Sequence, residues 1–418
     1  MPTEMSEVSP REFDVIVYGA SGFVGRRAAR YLADHAQQAS LRWAIAGRDH
    51  AKLEALAATV GNPPVFVAEG NDRAALDALA ARTRVILAMA GPFALYADKL
   101  VYACVAANTH YADITGETPW VKSLIDRHHD TAAAGGTRIV PCCGFDSAPS
   151  DLGAYLCAQA ARARGTECMT VKGFFQMSGG LNGGTLATLM MIGSDPEMNG
   201  MMRDPELLNP DDIRAAKTGA LRDPTIASFD ADITAWIAPF PMGPINTRVV
   251  RRSAALYEQW GESYGKMFGY QEYMAFPGPF GATTAATVAA GTMLAQNTIA
   301  FGSTRSLLQP LIPKPGTGPS EAAIRDGWFR CEFVGRTSDG QKIRALVSDR
   351  GDPGNAATVK FACEAALALA GDAAALPGGA GRGGVLTPAT ALGDVLVQRL
   401  RAAGMTLEVP VGKGAAAT

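Results

Sequence analysis

Three glycines spaced three residues apart, Gly19, Gly22 and Gly25, sit in "DVIVYGASGFVGRRAARYLADH" (14–35), after the apolar run Val15 to Tyr18 and before a segment with helical spacing. In a strand-to-helix turn the first glycine lets the chain leave the strand sharply. The second lets backbone approach a ligand, and the third lets the helix pack near the sheet. Backbone N–H groups at the start of such a helix suit the pyrophosphate of a dinucleotide. The expected contacts are therefore the residues of the turn: Gly19, Ala20, Ser21, Gly22, Phe23, Val24 and Gly25. A bare structural turn is the rival reading. The context favours the ligand, because the motif follows a strand, opens a helix and begins a repeated βα pattern.

The second apolar run ends "AIAGRDH", which puts Arg48 at the carboxyl edge of a sheet. An acid there accepts from the ribose hydroxyls of NAD, whereas an arginine suits the 2′-phosphate of NADP(H). Arg48 points to NADP(H); Asp49, one residue on, is the rival that would favour NAD. Arg26 and Arg27, in the first helical turn, either oppose the helix dipole beside a bound anion or form a solvated face. Asn71 and Asp72 follow the third run, as a helix N-cap and as neighbours of the adenine. Ala90, Gly91 and Pro92 follow the fourth and would line the crevice beside the ribose and nicotinamide.

Hydride transfer asks the protein to orient the acceptor and to supply a proton. Three side chains on the loops are candidates: Tyr96 as a hydroxyl donor, and Asp146 and Ser147 in "GFDSAPSDLG". Tyr96 reads equally as an aromatic packed between domains, and the second loop as a helix cap with Ser150 at the N-cap. No G-x-S-x-G elbow suggests a hydrolase. His128 and His129 lack a spaced third ligand, so no metal is expected. "NTRVVRRS" (246–253) reads as a strand with Arg248 and Arg252 on one face, either a solvated edge or, with Arg251, a dock for an anionic group.

These residues need elements to hold them. Six short apolar runs, at 13–18, 42–47, 64–69, 84–90, 110–114 and 138–145, alternate with helical segments over residues 1–150. Near-continuous apolar strands alternating with helices form a parallel sheet covered on both faces. The fold class is α/β: an N-terminal Rossmann doubly wound parallel sheet with an inserted α+β domain of mixed sheet. The second domain is expected over 151–384. It holds a helix from Ser150, strands at 168–177, 245–252 and 270–276, and a hairpin over 327–350 turning at Asp339-Gly340. The last segment, 385–418, opens with Thr387 as N-cap and Pro388 at the first helical position. Residues 276–313 carry almost no charge; they read as a buried helix pair or as a helix lying against lipid.

With 48% hydrophobic residues the chain can bury a large core, and a net charge of −2 without a basic run argues against a nucleic-acid partner. Seven cysteines without a C-x-x-C pair read as reduced thiols, and the polar N-terminus shows no signal peptide. A cytoplasmic protein is expected, with peripheral membrane contact and a homodimer both left open.

The stretches "YGASGFVG", "AIAGRD", "AGPF", "YADITGE" (111–117), "CGFDSAPSDLG" (143–153), "NTRVVRRS", "PKPGTGPS" (313–320) and "GVLTPATALGD" (384–394) run in order along nearly the whole chain. Together they resemble the saccharopine dehydrogenase-like oxidoreductases, and within them the trans-acting enoyl reductase group. Ser21 stands where that pattern usually has Thr, which keeps the hydroxyl. The resemblance implies a Rossmann domain, an inserted α+β domain and a C-terminal segment packing back near the first domain. It also implies NADP(H), and reduction of a carbon–carbon double bond on a polyketide or fatty acyl substrate presented by a polyketide synthase. Two alternatives stay open: an imine or amino-acid reductase closer to saccharopine reductase, and a non-catalytic NADP-binding, lipid-associated protein.

Overall fold

The computed structural model describes residues 11–179, 195–216, 222–300, 318–371 and 373–410. The six expected runs become β1 (Phe13–Tyr18), β2 (Trp43–Gly47), β3 (Val65–Val67), β4 (Thr83–Ala88), β5 (His110–Asp113) and β6 (Arg138–Val140). A second group comprises β7 (Cys168–Ser178), β8 (Ser228–Asp230), β9 (Ala235–Pro239), β10 (Gly269–Phe276), β11 (Trp328–Thr337) and β12 (Lys342–Arg350). Two short late strands, β13 (Gly384–Val385) and β14 (Thr406–Glu408), each join a sheet begun earlier.

The first sheet has the order β13-β6-β5-β4-β1-β2-β3 and is parallel throughout. The strand order reverses between β1 and β4, while every strand keeps the same direction, and this switch point is the crevice where ligands bind in open α/β sheets. Alternation along β1 feeds two cores: Val15 and Val17 face one layer with Leu32 and Phe361, while Ile16 and Tyr18 face the other with Leu76, Leu100 and Leu124. The first layer includes the helix Thr358–Ala370, buried along almost its whole length. That helix comes from beyond the second sheet in sequence, yet packs on β1, β4 and β5.

The second sheet has the order β14-β12-β11-β7-β10-β9-β8 and is mixed: β7 and β10 run parallel, and the remaining pairs antiparallel. The hairpin of β11 and β12 turns at Gly340, whose φ is +80°. Chain from beyond residue 384 therefore enters both sheets. The helix Pro388–Ala402 has the expected start: Thr387 Oγ1 accepts the Thr390 N–H at 3.3 Å, and Thr390 Oγ1 accepts the Thr387 N–H at 2.9 Å.

Two sequence expectations fail here. Residues 245–252 are not a strand but part of the helix Gly243–Gln259, with Arg248, Arg251 and Arg252 all buried. Their guanidiniums bond backbone carbonyls, including those of Met202, Pro205 and Leu208, and Arg248 and Arg251 also pair with Asp223, so the three are committed inside the protein rather than on a solvated edge. The described part of 276–313 is not buried as expected. The helix Gly281–Ala300 is largely exposed, with Phe280, Met293 and Leu294 among the most exposed apolar residues, and 301–313 lie outside the described residues. No helix among the described residues is long and apolar enough to cross a membrane.

Candidate functional site

The glycine turn leaves β1 at the crevice. Gly19 has φ +79°, and a Cβ there would lie 2.7 Å from the Ala90 Cβ, so the turn after β1 touches the loop after β4. A Cβ on Gly25 would lie 2.2 Å from the Gly19 carbonyl oxygen. Packing alone demands both of these glycines. Gly22 differs: the nearest atom to a Cβ there is the Gly19 oxygen at 3.2 Å, and no other lies within 4 Å.

Hydrogen-bond accounting shows what the turn offers a ligand. The N–H groups of Gly19 and Ala20 are spent on the Ala46 carbonyl, and that of Gly22 on Gly19. Those of Ser21, Phe23 and Val24 have no acceptor among the described residues. The following helix, Gly25–Ala39, has no side-chain cap and no acid in its first turn. Three free donors at an uncapped positive helix end fit a pyrophosphate. Ala20 is fully buried and can contribute only its backbone. Arg27 is not a phosphate ligand in this arrangement: it donates to the Phe23 carbonyl, pairs with Glu321 and lies over the Phe23 ring.

Arg48 is exposed at the end of β2 and makes no hydrogen bond or ion pair among the described residues, although its charge acts on neighbouring Asp49 and Tyr18. Its rival is committed. Asp49 caps the helix His50–Ala57, accepting from the Lys52 N–H at 3.1 Å and pairing with Lys52 Nζ at 2.9 Å. The free guanidinium fork therefore fits a 2′-phosphate better than the spent carboxylate fits a ribose. Asp72 caps Arg73–Ala81 through the Ala75 N–H, and the Asn71 carbonyl accepts from Lys99. Both are exposed beyond β3.

Ala90, Gly91 and Pro92 lead from β4 into the short helix Phe93–Tyr96. Buried Glu117 holds that helix, accepting the Phe93 and Ala94 N–H groups at 2.9 and 2.7 Å. At the end of β5, Asp113 accepts from Tyr111 Oη, the Thr115 N–H and the Cys142 N–H, and burial pushes its carboxyl up to about 7. Thus "YADITGE" pins the loops after β4, β5 and β6 to one another. Sequence reasoning gave neither acid a role.

The proton-donor candidates are not gathered together. The Tyr96 backbone packs against Gly70, past β3, and the residue is 45% exposed. Asp146 and Ser147 follow β6 on the other side of the crevice. Asp146 is half-buried and makes no hydrogen bond among the described residues; burial lifts its carboxyl to about 6. Ser147 is buried and donates to Asn246 Oδ1 at 3.1 Å; Asn246 Nδ2 donates to Glu272 at 2.7 Å. Glu272 also accepts from the Ser150 and Tyr270 hydroxyls, yet burial outweighs these bonds and raises it to about 8. Ser150 is therefore not the N-cap expected of it. The helix begins at Ala148, and the Ser150 hydroxyl turns inward to Glu272.

Comparison with known proteins bears on the family and the fold. The saccharopine dehydrogenase NADP-binding domain model matches residues 15–140. A Mycobacterium tuberculosis relative with a provisional trans-acting enoyl reductase name is 39% identical, covering 96% of this chain and 98% of its own. The trans-acting enoyl reductase of Mycobacterium bovis is 36% identical, covering 95% of this chain and 97% of its own. The solved apo saccharopine dehydrogenase (L-Glu forming) of Saccharomyces cerevisiae shares the fold, with a TM-score of 0.53 at 13% identity over 95% of this chain and 99% of that one. By its glycine turn, its two sheets and these full-length likenesses, the chain belongs to the saccharopine dehydrogenase-like NADP-dependent oxidoreductases, in the trans-acting enoyl reductase group.

Proposed function

We propose that the chain is an NADPH-dependent enoyl reductase acting in trans on a carbon–carbon double bond of a polyketide or fatty acyl chain held by a synthase. Full-length identity to the trans-acting enoyl reductases carries this reading. The N–H groups of Ser21, Phe23 and Val24 would hold the cofactor pyrophosphate, and Arg48 its 2′-phosphate. Held by these residues, NADPH would supply a hydride for the β-carbon of the enoyl thioester. Asp146 then gives its proton to the α-carbon of the resulting enolate and recovers one from solvent. It suits the task because its carboxyl, free of hydrogen-bond partners and raised to about 6, keeps a protonated fraction near neutral pH. Ser147, fixed by Asn246, lines the same loop.

The test follows NADPH oxidation with a series of 2-enoyl pantetheine thioesters, free and carrier-bound. Wild-type turnover is expected, falling as pH rises through about 6. Asp146→Asn should lose turnover while binding NADPH as before. Binding of NADPH without turnover of any thioester would refute the reading. We also propose a cytoplasmic location with peripheral lipid contact through the exposed, uncharged helix Gly281–Ala300, which sedimentation with liposomes tests.

A further inference from the structure

Across the molecule from the cofactor turn, at the amino edge of the first sheet, lies a cavity of about 370 Å³. It opens between the ends of the helices Thr118–Ala134 and Gly243–Gln259 and the loop that leads into β13. His129, Leu256, Trp260, Gly378 and Arg382 line it.

Arg382 is the anomaly. Its side chain is only 18% exposed, yet none of its guanidinium N–H groups donates a hydrogen bond to the protein among the described residues. The group is held close, with Cζ 3.8 Å from the Trp260 ring centroid and the bare backbone of Gly378 also against it. A Cβ on Gly378 would lie 2.0 Å from Arg382 Nε, so the glycine makes room for the guanidinium. Nη1 is enclosed without a partner, which leaves the Nε–Nη2 edge as the open fork. The nearest acid, Glu262, stands 3.6 Å from Nη2 and is shared with Arg162 at 3.8 Å. A planar guanidinium edge of this kind takes carboxylate or phosphate oxygens in pairs.

A second donor adjoins it. His129 Nδ1 accepts the Val385 N–H at 3.2 Å and faces Arg252 Nη2 at 3.3 Å. The neutral ring therefore carries its proton on Nε2, which has no acceptor among the described residues. Behind the cavity, Arg138 and Arg252 are buried and bonded to backbone carbonyls rather than to acids. Asp126, Asp130 and Glu262 are the carboxylates that act on this cluster. Three guanidiniums held this way make a positive field around an open cavity.

We infer that this cavity binds an oxyanion, a carboxylate or phosphate group, in the Arg382 Nε–Nη2 fork with His129 Nε2–H as the second donor. The site is separate from the cofactor turn and independent of the reaction proposed above. The test uses the full chain saturated with NADP⁺, so that the cofactor phosphate contacts are filled. Inorganic phosphate and succinate are titrated calorimetrically in parallel, against chloride at equal ionic strength. Saturable binding of either anion is expected, weakened roughly tenfold or more in Arg382→Gln. Gly378→Ala, which keeps every charge but displaces the fork, should weaken it as well. Phosphate alone binding would identify a phosphoryl ligand, and succinate alone a carboxylate. Neither anion binding above chloride, or binding unchanged in Arg382→Gln, would overturn the inference.

Discussion

Replacing Glu272 by glutamine removes a buried proton site without removing its hydrogen bonds. The amide oxygen can accept from Asn246 Nδ2, and the amide nitrogen then faces the Ser150 and Tyr270 hydroxyls, which can turn to accept. Burial lifts Glu272 from 4.5 to about 8. Between those values the unfolded chain ionises while the folded chain keeps its proton. The associated stability is whole below pH 4.5 and is lost as pH rises to about 8. A gap of about 3.5 pH units at about 1.36 kcal/mol each amounts to about 5 kcal/mol. Asp113 and Asp151, both raised to about 7, titrate in the same window, so the informative quantity is the difference between wild type and Glu272→Gln. Urea unfolding of both proteins from about pH 5 to about pH 9 measures it. The variant should gain on wild type by several kcal/mol across that range. A difference independent of pH would refute the account of this network.

Gly25→Ala forces a Cβ against the Gly19 carbonyl, and overpacking of this kind costs about 1–3 kcal/mol. It should lower the thermal midpoint and abolish NADPH binding together; normal binding would show that the turn has slack. Glu117→Gln turns one of two accepting oxygens into a donor facing a backbone N–H. It should cost roughly 1.5–3 kcal/mol in chemical unfolding. An unchanged midpoint would mean that water already serves the Phe93 and Ala94 N–H groups.

The sequence exposed what is local. β1 alternates between two cores within six residues, and the glycine turn is a contiguous motif, so both were readable before any contact was known. Arg248, Arg251 and Arg252 were misread through an alternating pattern. Their spacing of three and four residues is the helical period, and their burial depends on carbonyls some 44 to 46 residues away. β13 was invisible because two residues carry no pattern, and Gly384 pairs with Arg138 from across all of β7 to β12 in sequence. Asp113 and Glu117 look like ordinary surface acids in sequence. Their function comes from N–H groups on other loops, 29 and 24 residues distant. The sequence favoured Arg48 over Asp49 by its place at the strand end, and the Lys52 N–H on the aspartate adds a reason that no local pattern carries.

Paired fluorescence titrations with NADPH and NADH, on wild type and Arg48→Ala, test the cofactor assignment most directly. The account predicts tight NADPH and weak NADH binding to wild type. Arg48→Ala should lose roughly 1.5–3 kcal/mol of NADPH affinity, the range for a charged hydrogen bond, with NADH nearly unchanged. Equal weakening of both cofactors, or no binding of either to wild type, would contradict it.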